Sequence, residues 1–219
     1  MASFFNLILD TLAPSGLSLI INGGAQYTTS TNVELNISCT DVDTTGYQMK
    51  IWGIDGATNE AQASWETFTS SKVVALPSGD GLKTVYIKVR DDVYNESASA
   101  SASITLNSSI PTVTITGPDV TRISKVSPRN IASFSFMADC SFVEYKVKVV
   151  PSVSSLESAG TTIQVSNGST NMSGTGTFKA NTPINCTITG ADLEQASAGD
   201  GSKIIKVFIK NEAGTWSQA

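Results

Sequence analysis

The sequence predicts an all-β protein built from two tandem β-sandwich domains, and two observations support this. The first is an internal repeat: the motif Gly-Asp-Gly at residues 79–81 precedes a strand-like run at 85–90, and the same motif at 199–201 precedes another at 205–210. The second is a set of short stretches in which apolar and polar residues alternate. Self-similarity with a period on the order of one hundred residues indicates tandem domains, and 219 residues are enough for two of ordinary size.

Alternation identifies the strands and their buried faces. In the first domain the inward positions are Val33, Leu35, Ile37 and Cys39, then Tyr47, Met49 and Ile51, then Val85, Ile87 and Val89. In the second domain they are Phe134 and Phe136, then Tyr145, Val147 and Val149, then Ile205, Val207 and Ile209. A period of two over short segments is typical of antiparallel strands with one solvated face. No segment has convincing helical periodicity, and about seven short strands per domain favour immunoglobulin-like sandwiches.

Two proline-containing linkers set the domain boundaries. Residues 10–14 and 107–111 occupy matching positions just before a strand, and proline favours an extended entry into it. We therefore predict a leading segment at residues 1–9, a first immunoglobulin-like domain at 10–107 and a second at 108–219.

The second domain carries an insertion of about twenty residues between its middle strands and its Gly-Asp-Gly turn, by comparison with the first. The extra segment includes residues 166–176, which contain Asn167 and Asn171 and are rich in Ser, Thr and Gly. One interpretation is a long solvated hairpin. The other is a loop presented to a partner, because loops on rigid sandwiches often carry binding.

The second domain also ends where its closing strand is expected to begin. In the first domain, residues 98–106 form that strand, whereas the sequence stops at Gln218 and Ala219. A sandwich without its last strand exposes a row of unpaired backbone groups. Three explanations stay open: the sequence is part of a longer polypeptide, the domain ends at an exposed edge, or another chain supplies the strand. Residues 4–9 are a candidate donor for the third.

Composition limits the function classes. The net charge is −5 and charged residues make up 15% of the chain, which disfavours binding to nucleic acid. The chain has no histidine, so the usual serine or cysteine triad is excluded and the commonest ligand of transition metals is missing. We expect no catalysis and no cofactor.

The three cysteines leave two interpretations. Cys39 lies in phase with Val33, Leu35 and Ile37, which predicts a buried apolar position. Cys140 and Cys186 could pair across the second domain, or all three could be free thiols of a protein assembled in a reducing cytoplasm.

The leading segment is apolar but short. It has neither the basic start of a signal peptide nor the length of a membrane span, so we expect no membrane insertion. An exposed apolar patch of this kind normally marks an interface. We therefore predict that it anchors the protein to an assembly through Phe4, Phe5, Leu7, Ile8 and Leu9.

The first domain resembles a known family of repeats. The motifs that carry the likeness are at residues 10–14, 21–28, 47–53, 78–86 and 89–97. They are similar to bacterial-type immunoglobulin-like repeats, which occur in bacterial surface proteins and in structural proteins of tailed bacteriophages. The second domain matches only at its linker and its Gly-Asp-Gly turn. The resemblance implies display and adhesion, implies no catalysis, and transfers no fixed binding residues.

Two tryptophans are candidates for surface binding. Trp52 and Trp65 are large enough to seal one end of a sandwich. The alternative is a platform on which sugars stack, and the outward phase of Trp52 keeps that alternative open.

Clustered carboxylates are weak calcium candidates. Asp41 and Asp43 form one pair, and Asp91 and Asp92 form another. Calcium takes several oxygen ligands, but the spacing matches no complete calcium loop. The alternative is that these are solvated turn residues.

The leading hypothesis is a non-enzymatic virion protein of a tailed phage, assembled in the bacterial cytoplasm. It would be a capsid decoration, a head fibre or a tail-associated component, oligomeric within the assembly. Its partners would be capsid, portal, neck or tail proteins, with weak adhesion to host-surface glycans. The alternative is an adhesion or carbohydrate-binding module of a secreted bacterial surface protein.

Overall fold

Short and mainly antiparallel strands make up just under half of the chain in a computed structural model, which describes residues 5–40 and 46–218. Of the predicted site residues, Phe4, Asp41 and Asp43 lie outside these ranges. The chain divides into two units on either side of the bond between Ser108 and Ser109. Each unit has its own apolar core between β-sheets, so the predicted all-β fold of tandem sandwiches is confirmed.

The first unit contains eight described strands and two 3-10 turns, Asn22–Gly24 and Glu60–Gln62. The strands are β1 (Ser15–Ile21), β2 (Tyr27–Thr28), β3 (Asn32–Thr40), β4 (Gln48–Trp52), β5 (Glu66–Thr67), β6 (Ser71–Ala75), β7 (Gly81–Arg90) and β8 (Ala100–Leu106). One sheet has the order β1-β3-β6 and the other β2-β8-β7-β4-β5. The alternation in β3 and β7 turns Val33, Leu35, Val85 and Ile87 into the space between the two sheets, where they are almost completely buried.

Strand β8 closes the first unit. It pairs antiparallel with β7, which puts Leu106 opposite Gly81, Ile104 opposite Lys83 and Ala102 opposite Val85. On its other side it runs parallel to β2. β8 therefore lies between two strands, and its residues Ile104 and Leu106 are buried.

The second unit repeats the plan with one difference at its edge. Its elements are β9 (Val113–Thr116), β10 (Ile131–Ala138), β11 (Phe142–Val150), β12 (Thr161–Thr162), β13 (Ser173–Phe178), β14 (Ile184–Thr189), α1 (Gly190–Ala196) and β15 (Ile204–Asn211). One sheet has the order β14-β10-β9, and in the other β11 pairs with β12, β13 and β15. Among the described residues, β15 has β11 as its only partner strand, whereas the corresponding β7 lies between β4 and β8.

Two features of the second unit correct the sequence predictions. Helix α1 was not expected; it begins after Thr189, whose hydroxyl accepts a hydrogen bond from the Asp192 N–H and so caps it. Residues 166–176 are mostly exposed, but two buried residues, Ser169 and Met172, hold them on the unit. Met172 is fully buried in the core and β13 begins at Ser173, because this part of the chain supplies a strand to the sheet of β11.

None of the three cysteines, which all lie in the described ranges, forms a disulfide, so the pairing of Cys140 with Cys186 is not formed. Cys186 is buried in the core, and burial raises the pKa of its thiol to about 12. Cys39 is only half-buried, not buried as predicted, because it lies near the end of β3, where its Sγ is 3.5 Å from the carbonyl oxygen of Ser15.

Candidate interaction surfaces

The described part of the leading segment is fully solvated. Phe5, Leu7, Ile8 and Leu9 are 85%, 85%, 90% and 86% exposed, and residues 5–14 form no helix or strand. Single exposed apolar residues are normal on protein surfaces, but a contiguous group of this size marks a surface that another molecule covers.

A stapled turn holds the chain directly after the leading segment. The Asn95 side chain donates from Nδ2 to the carbonyl oxygens of Asp10 and Leu12, at 3.4 and 3.5 Å. Asn95 is itself fixed by Asp91, whose carboxylate accepts hydrogen bonds from the backbone N–H of Val93 (3.0 Å), the backbone N–H of Asn95 (2.8 Å) and Asn95 Nδ2 (2.9 Å). The leading segment therefore projects from a fixed point on the first unit.

The same contacts give Asp91 a structural role in place of the predicted one. Its carboxylate is buried and bonded to three N–H donors, whereas Asp92 is exposed. No group of three or more Cys, Asp or Glu residues that could hold a metal ion is present in the ranges 5–40 and 46–218. Since Asp41 and Asp43 lie outside those ranges, calcium binding there stays a prediction.

The first Gly-Asp-Gly turn ties the end of β8 to the start of β7. Asp80 Oδ1 accepts hydrogen bonds from the backbone N–H of Ser108 at 2.9 Å and from its hydroxyl at 2.7 Å. Asp200, at the same place in the second turn, is exposed and has no such donor within the described residues.

Trp52 is in the outward phase of β4, opposite Tyr86, but it does not offer a free ring face. It is 9% exposed, and its ring stacks on that of Tyr86 with centroids 5.5 Å apart and planes at 6°. Tyr86 is the residue directly opposite Trp52 on β7. This cross-strand pair covers one face of the indole, so Trp52 packs against Tyr86.

Trp65 belongs to a cluster of aromatic rings and cationic side chains that the sequence alone did not reveal. The guanidinium carbon of Arg90 lies 4.4 Å from the centroid of Trp65 and 4.4 Å from that of Tyr94, and Lys50 Nζ lies 5.0 Å from the Trp65 centroid. Trp65 is half-buried and Tyr94 is 65% exposed. Each cation–π contact of this kind contributes about 0.5–1 kcal/mol of attraction at an exposed site.

Asn167 and Asn171 have structural partners. Asn167 donates from its backbone N–H and from Nδ2 to Asp192 Oδ1, both at 2.9 Å, and Asn171 Nδ2 donates to the carbonyl oxygen of Asn185 at 2.7 Å. Asp192 Oδ2 accepts from the Ser169 N–H and the Thr189 hydroxyl, both at 3.0 Å. Burial alone would raise the pKa of Asp192, but the hydrogen bonds from Ser169, Asn167 and Thr189 lower that pKa to about 2.

Within the described chain, every helix is too short or too polar to cross a bilayer.

Comparison with known proteins gives only distant similarity. No protein-family model and no curated protein matches the chain. Among solved structures, the fibronectin(III)-like modules of CbhA from Clostridium thermocellum share 11% identity over 91% of this chain and 89% of that one, with a TM-score of 0.42. A 1.5-MDa bacterial ice-binding adhesin shares 13% over 92% and 60%, with a TM-score of 0.41. The D00-D0 domain of intimin shares 14% over 88% and 98%, with a TM-score of 0.29. These values do not show a family.

Proposed function

We propose that the protein is a non-enzymatic structural component of a tailed-phage particle and that the leading segment joins it to the particle. The observation that carries the proposal is the exposure of 85–90% at Phe5, Leu7, Ile8 and Leu9, directly before a folded sandwich. A short docking peptide followed by a rigid domain suits a capsid decoration, a head fibre or a tail-associated component. The resemblance of the first unit to repeats of phage structural proteins supports the same role.

The leading segment is large enough to act as an anchor. Burying four large apolar side chains contributes roughly 6–12 kcal/mol before the costs of association are subtracted. Those costs are about 4–15 kcal/mol for loss of rigid-body freedom, with more for ordering the peptide. A single anchor therefore binds weakly, and many copies on one symmetric particle bind firmly through their combined contacts.

Deleting residues 2–9 is expected to abolish incorporation into particles without unfolding either unit. The deletion removes the apolar docking group, while the Asn95 staple and both cores stay intact. Particles would be purified from lysates on a density gradient, and the protein in them measured by immunoblot and mass spectrometry. The control is Val126→Ser, which removes a side chain that is also highly exposed but lies outside the segment. Particles that carry the truncated protein at full occupancy would overturn the proposal.

Adhesion to surface glycans is the second candidate, and the half-buried Trp65 with the exposed Tyr94 favours it. Aromatic rings present apolar faces, and the neighbouring Arg90 and Lys50 can donate hydrogen bonds to hydroxyl groups. A glycan array on which binding is lost in Trp65→Ala, together with normal particles in the absence of the protein, would favour a module of a bacterial surface protein instead.

A further inference from the structure

An apolar groove of about 820 Å³ opens in the second unit beside the free edge of β15. Two of its apolar side chains are strongly solvated, Ile115 at 43% and Val120 at 41% exposure. Its apolar lining also includes Ile123, Phe134, Leu193 and Ile205. Apolar surface next to unpaired strand amides is the combination that an added β-strand covers.

The groove occupies the place that β8 fills in the first unit. β8 lies between β7 and β2, and β2 belongs to the connection from β1 to β3. In the second unit, residues 200–203 and Ile205 bound one side of the groove, at the start of β15, and residues 120–123 bound the other, in the connection from β9 to β10. These are the counterparts of β7 and β2, and in the described chain no strand lies between them.

The leading segment resembles β8 in sequence. Residues 7–10 read Leu-Ile-Leu-Asp and directly precede residues 11–14. In the same way, residues 104–107 read Ile-Thr-Leu-Asn and directly precede residues 108–111, so the two stretches are in equivalent positions. In β8 the alternate residues Ala102, Ile104 and Leu106 turn toward the core. The matching positions are Phe5, Leu7 and Leu9, which are all apolar.

We propose that the leading segment of one copy inserts into the groove of a second copy and completes its second unit. This rests on the assembly role proposed above for the segment, and it names a neighbouring copy in the particle as the molecule that receives the segment. By the register of β8 on β7, Leu9 lies opposite Gly201, Leu7 opposite Lys203 and Phe5 opposite Ile205. Thr11 then reaches Asp200 and donates to it as Ser108 donates to Asp80.

A second copy is the occupant because the insertion repeats a junction that the chain already makes. Within the chain, β8 completes the first unit and continues through residues 107–111 into the second. Between copies, the inserted segment completes one second unit and continues through residues 10–14 into the next first unit. Such an interface is heterologous, so it joins copies head to tail into open arrays or rings.

Two variants and their mixture test the proposal. Leu7→Glu disables the segment, since it places a charge against the apolar groove, and Val120→Glu disables the groove. Each is expected to weaken self-association by about a hundredfold and to sediment as a monomer. A mixture of the two is expected to form one-to-one heterodimers, because one copy keeps a working segment and the other a working groove. Ile8→Glu is the matched control, since Ile8 takes the position of Thr105, which alternates with the buried residues of β8.

Three outcomes would overturn the proposal. The first is a monomeric mixture while the natural protein associates, because the interface would then lie elsewhere. The second is a natural protein that stays monomeric and a peptide of residues 3–11 that does not bind the Leu7→Glu protein. The third is a monomeric natural protein that does not bind this peptide, together with a Leu7→Glu protein that does bind it. In that case the groove of each copy would be filled by the leading segment of the same chain. If the mixture forms heterodimers but the natural protein is absent from purified particles, the insertion stands and only the virion role is wrong.

Discussion

Replacing Asp192 by alanine is expected to lower the free energy of unfolding of the second unit by about 4 kcal/mol. The side chain is completely buried and accepts four hydrogen bonds, from two groups of Asn167 and one each of Ser169 and Thr189. Alanine leaves buried N–H donors without partners and releases the segment that leads into β13. Denaturant unfolding followed by tryptophan fluorescence, with Trp216 as the reporter of the second unit, measures the change.

The matched control is Asp139→Ala in the same unit. Asp139 also accepts two hydrogen bonds, from the N–H and hydroxyl of Thr112, but it is exposed, so water replaces the lost acceptor and the cost is about 1 kcal/mol. If the two substitutions lower the free energy of unfolding equally, the burial of the hydrogen bonds around Asp192 adds nothing to their contribution.

The same carboxylate makes the second unit sensitive to acid. The pKa of Asp192 is lowered from 3.8 to about 2 in the folded protein. A depressed pKa contributes stability that is fully present above about pH 4 and is lost as the pH falls toward 2. Asp192→Asn is therefore expected to be less stable than the natural protein at pH 7 and to approach it near pH 2.

Replacing Gly53 by alanine is expected to destabilise the first unit by about 3–4 kcal/mol. Gly53 has φ +81°, and a Cβ there would lie 2.1 Å from the carbonyl oxygen of Thr84. The backbone of β7 passes too close to admit a side chain, and it cannot move without disturbing its pairing with β4 and β8. Thermal unfolding monitored by circular dichroism measures the loss.

Gly56→Ala separates the clash from the backbone strain. Gly56 has nearly the same φ, +79°, but a Cβ there meets no atom within 4 Å. It should cost about 1 kcal/mol, the penalty of the left-handed conformation alone. If both substitutions cost the same, the close approach of Gly53 to Thr84 is not what requires glycine directly after Trp52.

Alternation was a reliable guide wherever one strand face must be buried. In β3 and β7 a shift of one residue would expose the whole apolar set, so the pattern of Val33, Leu35, Val85 and Ile87 determines which face turns inward. The repeated Gly-Asp-Gly turns similarly indicated equivalent positions for β7 and β15.

What could not be predicted depends on contacts between residues far apart in sequence. Trp52 is in an outward-facing phase, but Tyr86 lies opposite it on another strand and covers it. The insertion at 166–176 is polar and rich in glycine, yet Asp192, twenty-five residues beyond Asn167, draws it onto the core. The spacing Thr189-x-x-Asp192 is a capping signal, and reading it would have indicated helix α1.

The central claim is that the leading segment fills the groove beside β15, and hydrogen exchange of residues 202–206 tests it most directly. The amides of this stretch should be protected at high protein concentration and should lose that protection on dilution or in Leu7→Glu. Exchange that is equally fast in the natural protein and in Leu7→Glu at every concentration would contradict the claim.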